Sequence, residues 1–97
     1  MTAFKDRSTR VALSSTVFGA LVDTETMVMD IEQGKYVMLN DVATDIWQAL
    51  SASPQGMTVG EILNELATHY EGDIDVIASD VALFLTEMNA RGLILLI

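Results

Sequence analysis

Asp30-Ile31-Glu32-Gln33-Gly34-Lys35-Tyr36-Val37-Met38-Leu39-Asn40-Asp41 holds the end of one strand, a turn, a second strand and the start of a helix. Gln33-Gly34 is the turn signal, because glycine takes positive φ without steric cost. Lys35 to Leu39 then reads as an extended segment rich in strand-forming side chains. Asn40 and Asp41 follow with side-chain oxygens suited to the free N–H groups of a first helical turn. The chain therefore changes from strands to helices at Asn40.

Upstream, Thr26 to Glu32 alternates. Met27, Met29 and Ile31 interleave with Val28, Asp30 and Glu32, the period of a half-buried strand. Val17-Phe18-Gly19-Ala20-Leu21-Val22 is a compact apolar run before the polar break Asp23-Thr24-Glu25. Two tight connections make these three strands an antiparallel meander. A further short strand around Arg10 to Leu13 is possible, and residues 1–10 read as a polar, flexible N-terminal arm.

Downstream, Val42, Ile46, Trp47 and Leu50 recur at helical spacing, and Ser51 to Gly56, with the sole proline at Pro54, ends that helix. Thr58-Val59-Gly60-Glu61 has the capping-box pattern, and Val59, Ile62, Leu63, Leu66, Ala67 and Tyr70 form the apolar stripe behind it. Asp73 or Asp75 opens a third helix that runs to about Ala90. Gly92 fits the left-handed position past its end and Leu93 the accompanying apolar contact. Three strands followed by three helices predict one α+β domain over 1–97, winged-helix-like, with a three-stranded antiparallel sheet.

The third helix carries more apolar surface than one core needs. At about 100° per residue, Ile74, Ile77, Val81, Phe84, Leu85 and Met88 share one side. Val76, Asp80, Leu83 and Glu87 lie roughly opposite, where an outer face should be wholly polar. Isolated exposed aliphatics are common. Two of them framed by two acids also suit a groove wall. A meander leaves edge strands unpaired, and the Lys35–Leu39 edge leads directly into the helices, so an extended peptide could add there as another strand.

Charge narrows the partner. Lys5, Arg7 and Arg10 are three of the five cations, and from Val11 onward only Lys35 and Arg91 are basic, against every acid except Asp6. Such a body repels phosphate backbones, and the third helix sets Asp73, Asp75, Asp80 and Glu87 against Arg91 alone, so nucleic acid is not an expected partner. A cationic peptide would be attracted. The plainer reading of the same acids is solvation of a small apolar domain. Cysteine is absent, no apolar run approaches the ~20 residues of a membrane span, and no signal segment precedes Val11, so the expected setting is cytoplasmic with no membrane partner. No metal or other cofactor is expected: His69 stands alone, and helix capping accounts for Asp73 and Asp75. No triad or Gly-rich phosphate loop occurs, so no catalytic residue is assigned and the chain is not expected to be an enzyme.

Asp30 to Asn40, Val42 to Leu50, Thr58 to Tyr70, and Asp80 to Leu85 with Ala90-Arg91-Gly92-Leu93 together resemble PqqD-like proteins, the recognition elements of pathways that modify ribosomally made peptides. The resemblance covers about Ala12 to Leu93, and Met38 departs from it, where a smaller residue such as Gly is frequent. It implies that the leader segment of a precursor peptide binds as an added antiparallel strand along the third strand of the meander, against the third helix. Carried over by position, the contacts would be Lys35, Tyr36, Val37, Met38 and Leu39 with Val76, Asp80, Leu83, Phe84 and Glu87. The short length and acidic third helix look most like the stand-alone members of lasso-peptide pathways, whose implied partners are the precursor leader and a separate leader peptidase, with a cyclase besides. A peptide chaperone for a radical-SAM enzyme is the alternative, and a DNA-binding winged helix a remote one.

Overall fold

A computed structural model describes residues 3–22 and 25–97 of the chain. The meander comprises β2 (Val17–Val22), β3 (Glu25–Asp30) and β4 (Lys35–Leu39), in the order β2-β3-β4. Its register runs from Val17↔Asp30 to Val22↔Glu25 and from Thr26↔Leu39 to Asp30↔Lys35. Asp23 and Thr24, two of the three residues of the expected polar break, lie outside the described residues, while Glu25 opens β3. The β3–β4 turn closes through the Gly34 N–H and the Asp30 carbonyl at 2.8 Å.

The inward face of this sheet is set by Val28, Thr26 and Asp30, all buried, with Leu39 beside them. Of Met27, Met29 and Ile31, the alternate apolar set, Met29 and Ile31 (the latter just past β3) are exposed and Met27 is half-buried, with Phe18 and Tyr36 in line with Met29 across the strands. Gly19 lets the inward face approach α1 (Asp41–Ser51): a β-carbon there would stand 2.4 Å from the Trp47 Nε1, so only glycine admits the indole.

Among the described residues three α-helices complete the α+β arrangement: α1, α2 (Val59–Ala67) and α3 (Ile74–Ala90). Each begins at a capping side chain read from the sequence. Asn40 accepts from the Ala43 N–H at 3.0 Å, Thr58 and Glu61 bond reciprocally at 3.1 and 2.8 Å, and Asp73 accepts from the Asp75 N–H at 2.9 Å. The core lies among Ile46, Trp47, Leu50, Val59, Ile62, Leu66, Val81, Leu85 and Met88. Ile74, expected on the buried stripe, is 39% exposed: it opens the helix, and its side chain leans back past the first turn.

A second sheet accompanies the meander. β1 (Arg10–Leu13) pairs antiparallel with β5 (Met57–Thr58) through Arg10↔Thr58 and with β6 (Ile94–Leu96) through Leu13↔Ile94. Val11 at its centre is fully buried. Within the segment read as an arm, a single 3-10 turn over Ala3–Lys5 buries Phe4, the Arg7 and Thr9 carbonyls accept from the Gly60 and Val59 N–H groups at 3.0 and 2.9 Å, and Arg10 begins β1. Among the described residues no helix is long and apolar enough to cross a membrane.

Candidate functional site

β4 pairs with β3 along one side only, and no strand of the described residues occupies its other side. Such an edge directs the N–H and C=O groups of alternate residues outward. Facing it across a cleft is the C-terminal half of α3. Two adjoining concavities lie between them, and a third continues past the Leu39 end of β4 between α1 and α3. The first, about 520 Å³, is lined by Lys35, Tyr36, Val37, Ala90, Arg91 and the turn residues Asp30, Gln33 and Gly34. The second, about 160 Å³, lies among Val37, Met38, Leu39, Phe84, Glu87 and Arg91. The third, about 320 Å³, is bounded by Asn40, Val42, Ile46, Asp80, Leu83, Phe84 and Glu87. Val37 and Arg91 belong to the first two, and Asn40, Ala43, Phe84 and Glu87 to the last two, so the concavities form one groove.

Both ends of β4 are held. At Leu39, the buried Thr44 hydroxyl donates to the Leu39 carbonyl at 3.2 Å and Asn40 caps α1, which welds the strand to the helix. At Lys35, the turn is organised by Asp30, whose side chain is buried. Its carboxylate accepts from the Gln33 Nε2 at 2.7 Å, the Glu32 N–H at 3.0 Å, the Thr16 hydroxyl at 3.2 Å and the Gln33 N–H at 3.3 Å. Burial by itself raises the Asp30 pKa; these donors together outweigh it and hold the group below the usual carboxylate range. The Gln33 Nε2 also donates to the Arg91 carbonyl at 3.0 Å, which ties the turn to the end of α3.

The structure brings Lys35, Tyr36, Val37, Met38 and Leu39 together with Asp80, Leu83, Phe84 and Glu87 around this groove. Tyr36, Met38 and Leu83 are exposed, Val37 and Phe84 half-buried, and Leu39 buried. Val76 is exposed as well; it stands one turn before Asp80 on α3 and is not among the residues that line the concavities. Sequence reasoning passed over Asn40, Ala43, Gln33 and Arg91. Gln33 and Asn40 were legible only as turn and helix-cap residues, and Arg91 as one of two cations beyond Val11. Among the described residues Lys35, Asp80, Glu87 and Arg91 form no ion pair.

The groove offers a backbone edge, apolar contacts at Val37, Leu83 and Phe84, and charged side chains along its walls. That combination suits the noncovalent seating of an extended chain. His69, the sole histidine, lies 3.6 Å from Glu65 on the outer surface of α2, apart from the groove.

The family described as coenzyme PQQ synthesis protein D (PqqD) matches the chain over residues 25–94. No curated protein matches it. Two solved structures share the fold. One is TbiB1 in complex with the TbiA(beta) leader peptide, with a TM-score of 0.77 and 24% identity over 86% of this chain and 93% of that one. The other is lasso peptide synthetase B1 complexed with the leader peptide, with a TM-score of 0.73 and 25% identity over 88% and 96%.

Proposed function

The chain belongs to the PqqD family, and from that premise we propose that it binds the leader segment of a ribosomally made precursor peptide and delivers it to a separate leader peptidase or modifying enzyme, in lasso-peptide biosynthesis. The observation that carries this reading is the unpaired edge of β4 facing α3 across a continuous groove. Two proteins of the same fold are described with leader peptides bound, one of them a lasso peptide synthetase component.

In this mechanism the leader joins the β2-β3-β4 sheet as a fourth, antiparallel strand. Backbone pairing with β4 is indifferent to sequence and supplies affinity. Alternate leader side chains enter the groove against Val37, Leu83 and Phe84 and supply selectivity. The chain acts by presentation rather than catalysis: binding fixes an otherwise unstructured peptide in one register, and the partner enzyme then meets an ordered substrate. A role with a radical-SAM enzyme would use the same edge. Duplex DNA is disfavoured by the acids on α3.

Strand addition is tested through the peptide backbone. Leaders N-methylated at alternate residues in the two possible phases are titrated against the chain by fluorescence anisotropy. One phase removes the N–H groups that pair with β4 and binding is lost; the other leaves affinity nearly unchanged. Equal tolerance of both phases would show that the leader does not bind as a strand.

A further inference from the structure

We infer that the groove reads the order of charges along the peptide, taking a basic residue upstream and an acidic residue downstream. This deepens the leader-binding reading above and rests on it. The ends of the groove differ in sign. Asp80 stands at the end beside Asn40 and Val42, where no cation lines the wall, and Glu87 lines both that end and the middle of the groove. Lys35 and Arg91 stand at the other end, beside the β3–β4 turn. Asp30 also borders that end, but its buried carboxylate is occupied by four donors from Thr16, Glu32 and Gln33. Glu32 is exposed on the turn, outside the lining of the cavity. The four poles of the groove are themselves exposed and form no ion pair among the described residues, so their charge is available to a ligand.

Strand polarity converts this gradient into sequence order. A peptide antiparallel to β4 begins opposite Leu39 and ends opposite Lys35. α3 crosses in the same sense, with Asp80 near the first of these ends and Arg91 near the second. The peptide therefore meets Asp80 and Glu87 before Arg91 and Lys35. Distance sets the spacing. Helical rise separates Glu87 from Arg91 by about 6 Å and Asp80 from Arg91 by about 16 Å, which an extended chain spans in about two and about five residues. Both charged side chains must face α3, and only alternate residues do, so the separations reduce to about two, four or six positions. A peptide with the order reversed brings like charges together at both ends in a partly desolvated cleft.

The test uses phage-displayed random 14-residue peptides selected on the full chain in low salt. Enriched peptides are expected to carry Lys or Arg an even, small number of positions before Asp or Glu. Selection on the doubly substituted Lys35→Glu, Arg91→Glu chain should lose the downstream acid while keeping the upstream base. Exchanging the two charges within an enriched peptide should weaken it roughly tenfold, a difference that shrinks in high salt. Enriched peptides with no charge order, or the opposite one, whose binding is abolished by Leu83→Asp would overturn the polarity and leave the groove standing. Enrichment that survives Leu83→Asp unchanged would remove the groove reading, and this inference with it.

Discussion

Gln33 and Arg91 are joined by a hydrogen bond from the Gln33 Nε2 to the Arg91 main-chain carbonyl at 3.0 Å, which connects the β3–β4 turn to the end of α3. The same nitrogen donates to the Asp30 carboxylate at 2.7 Å, so one side-chain amide fixes both the turn and its distance from the helix. Gly92 leaves room for this bridge, since a β-carbon there would lie 3.1 Å from the Gln33 Nε2 on a backbone at φ 74. Gln33→Ala is expected to cost about 1 kcal/mol of stability and to weaken leader binding several-fold, because the groove loses the brace that sets its width. Urea unfolding and a leader titration on the same preparation measure both effects. Unchanged affinity would mean that the brace does not define the groove.

Asp30 makes the turn sensitive to acid. Its native pKa is depressed, so the unfolded chain takes up the proton first as pH falls. The stabilisation is fully present above the ordinary carboxylate range, about pH 4, and disappears as pH drops through the lower native value. Asp30→Asn should be less stable than the parent at pH 7, and the two should converge as the solution is acidified toward pH 2. Asp6 and Glu61 have depressed values too, from Ser8 and from Thr58 respectively, but both proteins share them, so the difference isolates Asp30. Curves that stay parallel across the acid limb would assign the effect elsewhere.

These two predictions depend on residues whose roles the sequence did not disclose. Capping is local, and Asn40, Thr58 and Asp73 could be read because each acts within a few residues of itself. The Lys35–Leu39 edge and the exposure of Asp80, Leu83 and Glu87 were also legible, since they follow from strand and helix periodicity. Gln33 and Arg91 meet only after the hairpin and α3 are packed. The β5-β1-β6 sheet was hidden for the same reason: Met57–Thr58 is too short to show a period, and the paired strands β1 and β6 come from opposite ends of the chain. For β3 the alternation was visible but its phase was not, because Val28 and the well-bonded Asp30 take the inside and leave Met29 and Ile31 exposed.

Gly19 offers a test of how the meander is seated on the helices. Gly19→Ala would place a methyl group 2.4 Å from the Trp47 Nε1, closer than packing permits. The indole must shift or the sheet must lift, at a cost of about 1–3 kcal/mol. Tryptophan emission reports this directly, as Trp47 is the only tryptophan and is buried. A red shift with lowered thermal stability is expected. An unaltered spectrum and melting curve would contradict the contact.

Leu83 and Leu85 sit two positions apart on α3 and present the same side chain to opposite environments. Leu83 is 60% exposed and lines the groove; Leu85 is fully buried. Introducing aspartate at each separates binding from folding. Leu83→Asp leaves a carboxylate in contact with water, so stability should change by no more than about 0.5 kcal/mol. In the complex, however, that carboxylate would be desolvated beside Asp80 and Glu87, and a leader anchor would lose its apolar partner. Affinity should fall about 10- to 100-fold, or about 1.4–2.8 kcal/mol. Leu85→Asp places an unpaired charge in the core and should cost more than about 4 kcal/mol, enough to unfold a domain of this size. Circular dichroism and a leader titration distinguish the two. A well-folded Leu83→Asp chain that binds the leader as tightly as the parent would show that the peptide lies elsewhere, since no substitution on the groove wall is less able to hide behind loss of fold.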